Sequence, residues 1–254
     1  MRGIAAGAAI CALALSGAVG GAATAAPAPK PGPSSSAPKS SNAQKPPKSA
    51  KSQKSAKSQK STAKATHRKS SKVAYLTFDD GPSPVYTPQV LWLLDKYEAK
   101  ATFFMIGKSA KANPKVVREV RAGGHAIGNH TYSHPWLNKL SASEIRWQLR
   151  AADQVLGRTN CMRPPGGFVN HTVRSVVDRE GKSMVMWNVD TSDWRRPGAS
   201  AIAQTAIDKT RPGSVVLMHD GGGDRSQTVK ALAKVLRTLK AEGYSFETLP
   251  KCRR

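Results

Sequence analysis

Positions 78–82 read "FDDGP", which sets Asp79 and Asp80 side by side immediately after an apolar run and before a turn. Adjacent carboxylates repel, and such a pair is tolerable where one member binds a cation and the other has a proton to move. A second cluster, "HTYSH", places His130 and His134 four residues apart. On a helical turn that spacing aims both imidazoles at one point. With Asp80 they make a two-histidine, one-carboxylate ligand set that leaves positions open for water and substrate. Zn²⁺ is the default metal, and Co²⁺, nickel or iron would accept the same donors. Asp79 is then placed to act as general base toward a water activated by that cation.

Three more stretches fit the same chemistry. Arg163, in "RPPGG", is the charged residue of its apolar run and, pointing inward, would orient Asp79 and keep it ionised. His219, in "VVLMHD", is the natural proton donor to a leaving group on the far side of the activated water. Asp193, in "DTSDW", would hold and charge that imidazole, and Trp194 would offer a flat apolar wall for a sugar ring. His67, His125 and His171 have no such surroundings and receive no role.

These side chains must be carried to one place. Apolar runs at 73–78, 101–106, 125–130, 161–164, 183–190, 214–220 and 244–249 predict strands. The stretches 87–97, 114–122, 141–156, 171–181, 199–209 and 227–242 predict helices. Asn113, Ser141 (with Glu144 three residues on) and Ser226 are the expected caps. In the third helix Ile145, Leu149, Ala152 and Leu156 fall on one face. Strands alternating with helices make an α/β fold with a largely parallel sheet, and a chain of this length favours a closed or nearly closed barrel over a wide open sheet. Chemistry then belongs at the carboxyl ends of the strands. Asp79, Asp80, His130, Arg163, Asp190 and His219 all fall there.

Outside this region the composition changes twice. Residues 1–25 hold Arg2, an alanine-rich apolar run and the A-x-A site Ala23-Thr24-Ala25, the pattern of a secretory signal peptide. The run is short for a membrane span, so no membrane association is expected after cleavage; a retained anchor is the alternative. Residues 26–72 repeat "SAKSQK" and hold twelve Lys or Arg and no acid, a linker expected to be disordered. The chain carries a net charge of +24, and its 16 acids all lie from residue 73 onward. A polybasic tail on an extracellular protein suits an anionic cell-wall polymer; a solvated spacer is as good a reading, and nucleic acid is a minor one because no base-reading motif is visible. Cys161 and Cys252 remain after processing, and the sequence leaves their pairing open. A secreted monomer is the expectation.

The five elements "TFDDG", "HTYSH", "RPPGG", "DTSDW" and "LMH", in that order, resemble the NodB-homology polysaccharide deacetylases, carbohydrate esterase family four. The resemblance covers residues 73–250. It implies a distorted (β/α) barrel of about seven parallel strands, and residues 73–254 as a catalytic domain. It further implies Asp79 as base, Asp80, His130 and His134 as metal ligands, Arg163 tuning the base, and His219 as acid tuned by Asp193. Leu217 would line a pocket for the acetyl methyl. The family usually has Tyr in "RPPYG", where its backbone N–H helps bind an oxyanion; this chain has Gly166, which keeps the N–H and loses the side-chain wall. The implied activity is metal-dependent N-deacetylation of an amino-sugar polymer. Peptidoglycan N-acetylglucosamine is the first substrate expected, and chitin oligomers or acetylated xylan are the alternatives. An inactive cationic wall-binding module is the rival from another class.

Overall fold

The computed structural model describes residues 72–253; the expected signal peptide and all of the basic linker except Lys72 lie outside the described residues. Strand β1 (Lys72–Asp79) is the centre of the sheet. Its residues divide by parity, as a strand requires. Leu76 and Phe78 join the main core with Phe103, Val90, Leu94 and Leu236, while Thr77 and Asp79 face the inside of the sheet's curl, where both meet Arg163.

On one side of β1 lie β2 (Ala101–Met105), β3 (Ala126–Asn129), β4 (Cys161–Met162) and β5 (Ser183–Met184), in that order. On the other lie β7 (Val215–His219) and then β6 (Val189–Asp190). β8 (Tyr244–Phe246) pairs with the first three residues of β1, and every pairing is parallel. The helices are α1 (Tyr86–Lys96), α2 (Gly107–Ala112), α3 (Pro114–Ala122), α4 (Ala142–Leu156), α5 (His171–Arg179), α6 (Ala199–Lys209) and α7 (Ser226–Ala241). The result is an α/β fold, a parallel sheet curled into a half-barrel with helices, as the sequence pattern predicts.

One expected strand is two. The run 183–190 begins as β5 at one end of the sheet and finishes as β6 at the other, so the curl stays open between them. Arg163 accounts for the break: its Nε donates to the Val185 carbonyl at 3.1 Å and its Nη2 to Met186 at 3.3 Å, taking acceptors that a continuous strand would give to a neighbour.

Helix α2 is absent from the sequence-based expectation. It meets α3 at Asn113, whose side chain caps neither helix start but donates to the carbonyls of Ser109 and Pro82. Ser226 opens α7 without capping it; Asp224 Oδ1 accepts its backbone N–H instead. Ser141 forms the expected capping box with Glu144. Cys161 and Cys252 are disulfide-bonded, packed with Phe104, Val185 and Leu249 inside the curl. The bond ties β4 to the C-terminal turn across 91 residues and so limits the unfolded chain.

Candidate active site

Consecutive strand residues point to opposite faces, so Asp79 and Asp80 could not meet if β1 simply continued. Asp80 has φ 72°, a left-handed conformation that swings its carboxyl back toward the inside of the curl. Glycines make room for it. A Cβ on Gly221 would fall 2.3 Å from the Asp80 carbonyl oxygen, and one on Gly222 would fall 2.6 Å from Asp80 Oδ2. The "GGG" at 221–223 thus packs against the candidate metal ligand. It belongs to none of the sequence motifs above, although three glycines close behind a strand end signal close backbone approach.

The two histidines converge, but not on a helical turn. Residues 130–134 form a loop in which Thr131 (φ 68°) and His134 (φ 63°) are both left-handed. Side chains from outside the motif hold this loop. Asn129 Oδ1 accepts the Thr131 N–H, and Gln148 Oε1 accepts the N–H groups of Tyr132 and Ser133. Thr131 Oγ1 accepts the N–H of His134. His130 Nδ1 lies 2.7 Å from the Arg163 carbonyl oxygen, which can only accept. Nδ1 therefore carries a proton, and Nε2 is the ring nitrogen turned toward Asp80.

One ligand atom from each of Asp80, His130 and His134 lies within 4.8 Å of the others. Asp80 Oδ1 is 3.4 Å from His130 Nε2 and 3.1 Å from His134 Nε2, yet it is buried without a well-aligned hydrogen bond. These spacings let the three atoms share one cation, and one carboxylate with two imidazoles is a donor set that suits Zn²⁺ or another borderline divalent ion. Burial raises the Asp80 pKa, but the facing imidazoles outweigh it and hold the carboxyl well below the usual range. Contact with Asp80 raises the pKa of His134 against its partial burial.

Arg163 is fully buried, so the surface ion pair that its type would ordinarily suggest is not what forms. Its Nη1 donates to Asp79 Oδ1 and to Thr77 Oγ1, each at 2.8 Å, and its guanidinium lies 4.2 Å from the centre of the Phe104 ring. Burial lowers its pKa, and the Asp79 carboxylate opposes that shift. Removing either partner would strand a buried charge.

Across β1, the parallel register pairs Asp79 with His219. Asp193 grips that histidine twice: Oδ1 takes the ring Nδ1 at 2.7 Å and Oδ2 takes the backbone N–H at 2.8 Å. Thr228 Oγ1 also donates to Oδ2, at 2.7 Å. Burial alone would depress the His219 pKa, but Asp193, with the charges of Asp79 and Asp80, raises it above 6.5. The same contact lowers the Asp193 pKa against its burial. With Nδ1 held by the carboxylate, Nε2 is left for proton transfer.

Leu217 is buried two residues before His219 on β7, and Trp194 is half exposed with the Arg195 guanidinium 4.6 Å from its ring centre. Gly166 sits at φ 62° in the short turn after β4. Asp190 is set apart: its Oδ1 accepts the Ser192 N–H and so shapes the loop that presents Asp193.

Two charged residues enter the site unforeseen. Asp220 is fully buried; Thr87 Oγ1 donates to its Oδ2 at 2.5 Å, and its Oδ1 has no hydrogen-bond partner. Burial pushes its pKa up to about 7. Arg225 donates to the carbonyls of Gly221 and Gly222 and brings Nη2 to 4.0 Å from Asp80 Oδ2. It pins the glycine loop against the ligand.

Residues 66–185 match the polysaccharide deacetylase family. The chain is 42% identical over 186 residues to a peptidoglycan-N-acetylglucosamine deacetylase of Bacillus cereus, covering 71% of this chain and 87% of that protein. It is 38% identical over 193 residues to a chitooligosaccharide deacetylase of Azorhizobium caulinodans, covering 69% of this chain and 92% of that one. Among solved structures, a family 4 carbohydrate esterase from Streptomyces lividans in complex with acetate aligns at a TM-score of 0.66 with 32% identity, over 70% of this chain and 92% of the other.

Proposed function

Since the chain belongs to the polysaccharide deacetylase family, we propose that it hydrolyses the N-acetyl groups of an amino-sugar polymer, with peptidoglycan N-acetylglucosamine as its substrate. One observation carries the reading: an Asp79–Arg163 pair and an Asp193–His219 pair flank the Asp80, His130 and His134 cluster. Bound there, a divalent cation, Zn²⁺ by default, would polarise the acetyl carbonyl and make water more acidic. Asp79, oriented by Arg163, accepts a proton from the water that attacks the carbonyl carbon. The Gly166 N–H is offered to the developing oxyanion, and Leu217 lines the pocket for the acetyl methyl. His219 Nε2 then donates a proton to the departing amine as the C–N bond breaks, giving acetate and a glucosamine residue.

Acetate release from purified peptidoglycan, chitopentaose and acetylated xylan, measured side by side, tests the substrate. Peptidoglycan is expected to be turned over fastest. Preference for chitopentaose would move the substrate to chitin oligomers, in line with the rhizobial relative, and turnover of xylan alone would overturn amide hydrolysis.

The N-terminal sequence supports secretion and an anionic wall partner. Cleavage after Ala25 should yield a mature extracellular protein. Deleting residues 26–71 should spare turnover of soluble oligomers and weaken salt-sensitive retention on intact walls, because the tail is basic and has no acid. Retention unchanged by the deletion would remove that role.

A further inference from the structure

The rim of the site holds two rings that the chemistry above does not use. Trp136 follows His134 by two residues and Phe168 follows Gly166 by two. Their ring centroids are 5.1 Å apart, inclined at 55°, and both residues remain about half exposed. They come from the loops after β3 and β4, neighbouring strands, and Asn170 Nδ2 ties the two loops together through the Asn138 carbonyl at 3.3 Å.

Gly166 explains why the second ring stands where it does. A Cβ at position 166 would fall 2.7 Å from Phe168 Cε2 and 2.9 Å from Cδ2. The Phe168 ring therefore stands in the space that a side chain at 166 would enter, and it supplies a wall beside the Gly166 backbone. Trp136 packs against that wall and extends it outward. Trp194 lies after β6, on the other side of β1 in the strand order. Exposed aromatic surface thus occurs on both sides of the Asp79–Asp80 pair.

A pyranose ring presents an apolar C–H face and a polar hydroxyl edge, so it stacks on aromatic rings while its edge stays in water. A polymer that places one residue over Asp79 and His219 must lay its neighbours across this rim. We propose that Trp136 and Phe168 form a subsite for the sugar ring next to the one being deacetylated. The location of the reacting ring rests on the function proposed above; the capture of a pyranose by these two rings does not.

Titrating chitotetraose into Zn²⁺-loaded full-length protein, with the slow variant Asp79→Asn as background, separates the two. Trp136→Ala and Phe168→Ala should each weaken the affinity about tenfold, a typical loss for one well-used aromatic contact. Trp136→Phe should restore most of it, and Zn²⁺ affinity should not change. Phe168→Leu, which keeps the bulk without the ring, serves if Phe168→Ala fails to fold. Unchanged affinity in the alanine variants overturns the subsite, as does a background protein that does not bind the tetramer. Acetate release is followed separately with Asp79 intact. If none appears while the alanine variants still lose affinity, the reaction is wrong and the subsite stands.

Discussion

Asp79, His130, Arg163 and Asp193 are each at most 3% exposed, whereas Trp136, Phe168 and Trp194 are 44–56% exposed. Arg163 holds Asp79 by a charge-assisted hydrogen bond and His130 through its backbone carbonyl, and Asp193 is held by His219, so the position of each depends on its partners. The rim rings make few such bonds and owe their positions to loop backbone and ring packing. The proposed reaction chemistry therefore falls where a change is costly, and the proposed contact with the polymer falls where side chains can change without loss of the fold. Substitutions at the centre should act on the chemical step, and substitutions at the rim on substrate affinity.

The largest expected effect is at the metal cluster. Chelation should abolish activity and added Zn²⁺ or Co²⁺ should restore it, while His130→Ala should lose both metal and turnover because two protein ligands hold a catalytic ion poorly. Full activity in protein shown to be metal-free would end the mechanism. Next comes Asp79→Asn, which should retain metal and cut kcat at least about a hundredfold. Loss of metal in that variant would mean that Asp79 and Asp80 have exchanged roles.

Asp193→Asn should act through His219. Asp193 raises the His219 pKa, and the histidine must be protonated to serve as acid, so activity should fall as pH rises through that raised value. Removing Asp193 lets burial dominate and lowers the His219 pKa, which moves the basic limb of the pH–rate profile to lower pH. An unmoved limb would assign it to another group. At the rim, Trp194→Ala should raise KM on polymer about tenfold with kcat nearly preserved, since one stacking contact is lost. A pure fall in kcat would place Trp194 with the centre instead.

The smallest effect concerns Asp220 and is read as stability. Its native pKa of about 7 lies above the ordinary 3.8, so the folded state binds the extra proton between these values. Stability should then fall as pH rises through that window. Asp220→Asn lacks this proton, and in metal-free protein its thermal midpoint should gain on the unsubstituted chain between pH 5 and 8. A constant difference would show that the carboxyl titrates normally.

Much of the centre is readable as residue types. Asp79, Asp80, His130, His134, Arg163, Asp193 and His219 all stand out because paired acids, paired histidines and strand-end polar groups are unusual beside apolar runs. Their supports are less visible. Asn129, Thr77 and Gln148 are ordinary polar residues until the fold brings them under the loop and the guanidinium they hold. The helical-turn reading of "HTYSH" fails because two left-handed residues, which no periodicity reveals, bend the loop. The break at 185–188 hides for a related reason: the apolar run is continuous, and Arg163 takes its carbonyls from 22 and 23 residues away along the chain.

Local chemistry settles which residues can donate, accept or ligate, and hydrophobic periodicity settles the alternation of strands and helices apart from α2 and the split into β5 and β6, because both depend on neighbours a few positions apart. The bonding of Cys161 to Cys252, the proton on His130 Nδ1 and the ring of Phe168 over Gly166 depend on something else. The first two require groups far apart in sequence to meet across a curled sheet, and the third requires a glycine held at positive φ. Strand register and loop backbone set those meetings, and they are fixed only when the whole core packs.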